Sequence, residues 1–222
     1  MIRRGGEGED GGAGGTLGTA RTEAYTDGVF AIAATLLVLD LSTDALGRIG
    51  SDAQLWQELA GMGEKFLAFG VSFALLSMLW TIYLRQFADI VRVDATLLWL
   101  NNARLLFIVL MPFTTSLTSE YSDWYAGRML MPIDFFFAAL LGHLSWRWAA
   151  ARGGHLMREQ DAVDWRYRGA GGVAAVICAG IAMAVSPWVG SFGFLSYLLL
   201  NAPLTRLLQA RAASRAAGSL KR

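Results

Sequence analysis

Between Gly28 and Leu39 no side chain can ionise, and with Tyr25 and Leu41 at its flanks this run approaches the ~20 apolar residues that a helix needs to cross a bilayer. Further apolar runs follow at roughly 64–84, 96–117, 129–149, 170–186 and 188–208. Inside lipid the backbone must satisfy its own hydrogen bonds, so runs of this length cross as helices. Composition agrees, since 55% of the 222 residues are apolar and 17% are charged. The chain is therefore read as an all-α protein, a six-helix transmembrane bundle embedded in a lipid bilayer. Its last two runs are separated only by Ser186-Pro187, read as a tight turn. A kinked re-entrant pair is the other arrangement, because proline both ends and bends helices.

The 1–19 segment is a Gly-rich tail with no apolar core, expected to be disordered and to be neither a signal peptide nor a span. Residues 20–209 make up the membrane domain, and 210–222 a basic tail. Basic residues orient the bundle. Arg3, Arg4 and Arg21, then Arg85 and Arg92, then Arg147, Arg152, Arg158, Arg166 and Arg168, and finally Arg206, Arg211, Arg215, Lys221 and Arg222 all fall on one side. Only Arg48, Lys65 and Arg128 fall on the other. The positive-inside rule then places both termini in the cytoplasm. The opposite loops carry Asp44, Asp52, Glu58, Glu64, Glu120 and Asp123, read as solvated loop charges, the alternative being that they raise local cation concentration near an outer mouth. An Arg-rich, Lys-poor chain full of Ala and Gly reads as a bacterial plasma-membrane protein.

Several function classes lack their chemistry here. Cys178 stands alone in an apolar helix, so no disulfide framework or thiolate metal site is available. No nucleotide-binding loop, zinc-binding HExxH or hydrolase GxSxG pattern occurs, and His143 and His155 are too few for a His-rich metal site. No catalytic residues, cofactor or nucleic-acid partner are expected. His143 is read as a core histidine. Small-residue runs at Gly169 to Ala175 and Ala179 to Ala184 predict close helix packing, and Ala151 to Gly169 reads as an interfacial linker.

Polar groups inside spans are costly in lipid and need partners. Arg21 and Asp27 lie at the start of the first helix, Trp80 and Tyr83 at the end of the second, and Asn101, Asn102 and Arg104 near the start of the third. All share one depth. The expectation is a buried cluster in which Arg104 or Arg21 neutralises Asp27, with an Asn and Trp80 Nε1 as further partners, fixing the rotation of the first helix. At 3.6 residues per turn, Gly28, Ile32, Thr35, Leu36, Leu39 and Thr43 share a stripe of that helix, and Phe30, Ala33, Ala34, Leu37 and Leu41 lie away from it. Such a stripe, turned toward a symmetry axis, would make rings of branched aliphatics that gate by dewetting. The hydroxyl of Thr35 either bonds the carbonyl one turn back or faces a cation. No TVGYG-like loop exists, so a carbonyl filter of that kind is excluded.

The stretch RTEAYTDGVFAIAATLLVLDL, Arg21 to Leu41, resembles the signature of the transmembrane protein 175 family, potassium channels of prokaryotic membranes and of animal endosomes and lysosomes. The family motif is Arg, three variable residues, an aromatic, Ser, Asp, and a helix reading roughly GVFAIxxTLLVLDL. Arg21, Tyr25, Thr26 and Asp27 fill it, with Tyr in place of the usual Phe and Thr in place of Ser. Leu97 to Tyr121 is similar to the family's third helix. The His that the family often carries one turn after the Trp of its second helix is absent, since Tyr83 and Leu84 follow Trp80. The resemblance implies a homotetramer whose first helices line the pore. It places constriction or selectivity at Ile32, Thr35, Leu36 and Leu39, with the potassium pathway at Ile32, Thr35 and Leu36.

The function expected is passive potassium-selective conduction through a helix-lined hydrophobic constriction. A proton-coupled or ion-coupled secondary transporter would instead use Asp27, Asp40 and His143. No interrupted helix pair recurs in two halves of the chain, which argues against it. A membrane scaffold is the remaining class. Asp40 is read either as a ring at the outer mouth or as an interhelical partner.

Overall fold

The computed structural model describes residues 18–42, 46–158 and 162–219. The tail expected over 1–19 lies almost wholly outside them, as do Thr43 and Asp44. Helix α1 runs Thr19–Leu36 and tightens into a 3-10 turn over Leu37–Leu41. Then come α2 (Asp52–Gly61), α3 (Gly63–Phe87), α4 (Ala95–Glu120), α5 (Tyr125–Ala149), the single turn α6 (Ala151–Gly154), α7 (Ala162–Val189) and α8 (Gly193–Ser219).

By length and composition α1 with its 3-10 extension, α3, α4, α5 and Tyr167–Val189 of α7 are able to cross a membrane. The sixth apolar run falls on α8, which folds back along α7. Pro203 and the arginines of its second half make it less apolar than the other five. Helix α8 continues to Ser219, so the segment expected as a basic tail extends the last helix.

The turn between these two helices is not at Ser186-Pro187. Both residues belong to the last part of α7, where Ser186 Oγ donates to the Ala182 carbonyl at 2.7 Å. The reversal comes at Gly190, whose φ of 59° is left-handed and cheap only for glycine, followed by the 3-10 turn Gly190–Phe192. A proline whose φ suits a helix bends it without ending it when neighbours restore the lost bonding.

The bundle core explains the small-residue runs. Ala174, Ala175, Cys178, Ala179 and Ala182 of α7 are buried, and α7 packs between α5 and α8. Lipid offers no hydrophobic drive between helices, so close backbone approach supplies the attraction. Phe135 of α5 then meets Phe194 and Tyr197 of α8 edge to face, with ring centroids 5.7 and 4.7 Å apart. Cys178 is a free, buried cysteine within this packing.

A second apolar cluster closes the arginine-rich end. Tyr83, Phe87, Ile90, Val93 and Leu97 pack on Trp146, Leu156 and Met157. The described residues of the Ala151 to Gly169 linker take part in this packing. Leu156 and Met157 are buried, Ile90 and Met157 form an antiparallel bridge, and the residues from Ala162 onward already belong to α7. At the opposite end, the loop that carries Asp52 and Glu58 folds as α2, capped by Ser51 Oγ, which accepts from Gln54 N at 3.2 Å.

Candidate functional site

Helix α1 has two unlike faces. Thr22, Thr26, Phe30, Ala33 and Leu37 are buried against α3 and α4, following the three- and four-residue steps of a helix. The opposite stripe of Gly28, Ile32, Thr35, Leu36 and Leu39 is exposed on the protomer, with Ile32 61% and Leu39 67% accessible. The 3-10 segment changes the angle per residue at Leu37, yet Leu39 stays outside and Leu37 inside. Thr35 Oγ1 donates to the Ile32 carbonyl at 2.8 Å, which satisfies its proton locally while a lone pair faces outward.

Polar contacts at one depth join α1 to α3 and α4. Asn101 Nδ2 donates to Thr26 Oγ1 at 2.8 Å, with both residues buried. Trp80 Nε1 donates to Asp27 Oδ1 at 3.0 Å at the edge of the protomer, where Trp80 is exposed and Asp27 half-buried. Thr in place of Ser keeps the hydroxyl that Asn101 needs and adds a methyl to the buried face.

Arg104 does not neutralise Asp27. Its guanidinium is fully enclosed, donates from Nη2 to the Leu79 carbonyl at 2.9 Å, and lies 5.6 Å from the Phe30 ring centroid and 5.5 Å from that of Tyr83. Two aromatic faces and a carbonyl dipole thus stand in for a carboxylate. Gly142 of α5 makes room for it, because a Cβ there would sit 3.1 Å from Arg104 Nε and Cζ. Arg21, Tyr25 and Asn102 are exposed and make none of the cluster's hydrogen bonds among the described residues. Arg21 and Tyr25 lie on the exposed side of α1, and Asn102 lies on the exposed side of α4.

Sequence reasoning missed Phe30 and Tyr83 as the arginine's partners. Tyr83 occupies the turn after Trp80 where the family's His is absent, stacked against Phe30 and tilted onto Phe87 at 4.3 Å. The legible signal was the phenol itself, an aromatic one turn from an intramembrane arginine's depth. Asp94 was also missed, although Asp directly before an apolar run is an N-cap signal. It caps α4 by accepting from Leu97 N at 2.8 Å, and it accepts from Trp148 Nε1 at 2.9 Å. His155 Nε2 lies 3.4 Å away. Burial raises the carboxyl's pKa, but the Leu97 amide, Trp148 and His155 outweigh it and hold the group below the usual carboxylate range.

Asp40 Oδ2 is closed off within the protomer and has no hydrogen-bond partner among the described residues. Asp134 of α5 is buried with Thr114 Oγ1 donating to Oδ2 at 3.1 Å. His143 is half-buried, its Nδ1 unpartnered among the described residues. Asp27, Asp40 and His143 are not gathered into one site, and no group of three His, Cys, Asp or Glu residues able to hold a metal occurs among the described residues.

Residues 21–112 match the family model described as endosomal/lysosomal potassium channel TMEM175. A curated relative, a potassium channel of Chamaesiphon minutus, is 31% identical over 164 residues, 68% of this chain and 77% of its own. A vertebrate relative from Gallus gallus, named an endosomal/lysosomal proton channel TMEM175, is 29% identical over 192 residues, 82% of this chain and 37% of its own. The crystal structure of a lysosomal potassium-selective channel TMEM175 homologue from Chamaesiphon minutus superposes with a TM-score of 0.57 at 26% identity, covering 89% of this chain and 97% of that one. The match begins at Arg21, the first residue of the motif, and takes in the contacts that orient α1. The chain belongs to the TMEM175 family.

Proposed function

We propose that this protein is a passive potassium channel whose α1 helices line the ion path. The observation that carries this is the division of α1 into an anchored face and a free one. Thr26 and Phe30 are locked against α3 and α4, which leaves Ile32, Thr35, Leu36 and Leu39 exposed in the protomer. Exposure alone does not mark a pore face, since α4 shows lipid-sized exposure at Trp99, Leu106, Val109 and Phe113. The two stripes differ in kind. That of α4 is rich in aromatics, as suits lipid and its interface. That of α1 after Tyr25 holds Gly28, Ala31, Ile32, Thr35, Leu36 and Leu39, with no aromatic side chain to block a narrow path.

One such helix encloses nothing, so the path needs closed symmetry, and we assign a homotetramer with both termini cytoplasmic. Rings of Ile32, Leu36 and Leu39 form the constriction, and the Thr35 hydroxyl oxygens offer the polar step between them. The Asp27–Trp80 and Thr26–Asn101 pairs set the helix rotation and hence which residues meet on the axis. Potassium is the ion named for the prokaryotic relative and for the solved homologue.

The test is flux from liposomes holding the full-length protein under a potassium gradient, with sodium substituted in a parallel series and a pH-sensitive dye to report protons. Rapid potassium flux, with sodium leakage rising by about tenfold or more in Ile32→Asn, is the expected outcome. Flux that requires a proton gradient and is lost only when an acid is removed would instead make the protein a coupled transporter. Proton flux exceeding potassium flux would favour the activity named for the Gallus gallus relative.

A further inference from the structure

A cavity of about 310 Å³ opens at the arginine-rich end of the bundle, away from α1, between the end of α3, the start of α7 and the middle of α8. Arg85, Gln86, Asp89, Tyr167, Arg168 and Thr205 line it. Its depth follows from the spans. Arg85 stands in the last turn of a span that ends at Phe87, and Tyr167 is the first residue of the span Tyr167–Val189. The cavity therefore sits where hydrocarbon gives way to headgroups.

Its charges have a definite arrangement. Arg168 pairs with Asp89, and this neutralises the floor. Arg85 is exposed at the rim and makes no ion pair among the described residues, so the lining carries one net positive charge. Gln86 and Asp89 are 5% and 4% accessible, yet Gln86 Nε2 and Asp89 Oδ2 have no hydrogen-bond partner among the described residues. Buried polar atoms are rarely left so, and an unfilled donor and an unfilled acceptor on residues lining one cavity call for a guest that both donates and accepts. Midway along α8 the Thr205 hydroxyl joins the lining, its proton donated to Asn201 Oδ1 at 3.2 Å and its oxygen left to accept.

We propose that this cavity binds the headgroup of an anionic phospholipid, a singly charged phosphodiester carrying hydroxyl groups. The phosphodiester sits at Arg85 with Gln86 as a neutral donor, and the headgroup hydroxyls face Asp89. Basic pockets between transmembrane helices recognise lipid headgroups by this division of labour. The acyl chains lie in the bilayer beside α3 and α8. Occupancy ties α3, α7 and α8 together at one end, so it is read as stability of the folded assembly.

The experiment measures thermal unfolding of the detergent-solubilised full chain with phosphatidylglycerol, phosphatidylcholine or water-soluble glycerophosphoglycerol added. Phosphatidylglycerol is expected to raise the unfolding temperature well above phosphatidylcholine, and Arg85→Gln to remove about half or more of that rise. Arg92→Gln, an exposed arginine at the same end but outside the cavity, is expected to keep it. Because Arg85 is exposed, its substitution leaves the packing intact, and Thr205→Val serves as a second variant expected to weaken the effect. Equal stabilisation by phosphatidylcholine, or equal losses in Arg85→Gln and Arg92→Gln, would overturn the site in favour of general surface charge. Stabilisation by glycerophosphoglycerol matching that by phosphatidylglycerol would overturn the lipid assignment in favour of a soluble phosphodiester.

Discussion

Asn101 shows how one side chain governs a helix. It reaches across from α4 to Thr26 in a setting without water, so its removal strands a hydroxyl in the packed interface. Asn101→Leu keeps the volume and deletes the bond. It is expected to cost about 0.5–2 kcal/mol, the range for interhelical hydrogen bonds in membranes, read as a lowered unfolding temperature in detergent. Arg104 makes the complementary point. The sequence marked it as an intramembrane charge in need of a partner, and a carboxylate at the same depth was the natural choice. The structure gives it aromatic faces and a carbonyl, because the α1 side chain turned toward it is Phe30, whereas Asp27 is turned to the edge beside Trp80. Spacing along one helix cannot report which side chain a neighbouring helix will meet.

Two joints decide whether the elements assemble. At the start of α4, Asp94 binds its own helix through Leu97 N and α5 through Trp148 Nε1. Its carboxyl is held below the usual carboxylate range, so the charged form is favoured by folding. The stabilisation is fully present above the unfolded-state pKa and is lost as pH falls through the lower, folded value. Acidification into and below the ordinary carboxylate range is therefore expected to loosen the α4–α5 end, and Asp94→Asn to flatten that part of the stability profile. Thermal unfolding across pH in both proteins checks it. At the other joint, Gly190 turns α7 into α8 with a φ of 59°. Gly190→Ala is expected to cost about 1–2 kcal/mol by strain in the left-handed region, seen as a lower unfolding temperature. The run lengths made these helices legible, but not the place of the turn. Pro187 looked like a stop, and only packing shows that α7 carries through it.

At the scale of the molecule, the exposed aliphatic stripe on the first helix is the face that the proposed homotetramer would turn to its axis. In a Cys178→Ala background, Leu39→Cys is expected to form disulfide-linked dimers under oxidation, whereas Phe30→Cys, on the anchored face, is not. Non-reducing gels of the reconstituted protein, together with a native mass near four protomers, check both the facing and the number. Loss of the Leu39 cross-link in a well-folded protein would mean that the stripe meets lipid. By itself the sequence determined that the chain is helical and crosses a membrane, because apolar run length and the cost of bare backbone in lipid leave no other fold. It also determined the two-faced character of α1 and the motif that names the family. The tertiary structure alone decided that Arg104 rests on Phe30 and Tyr83, that Leu156 and Met157 close the arginine-rich end, and that Arg85, Asp89 and Thr205 share a cavity. Those are meetings between residues far apart in the chain. Their partners are set by how helices rotate and pack against one another, which no local pattern records.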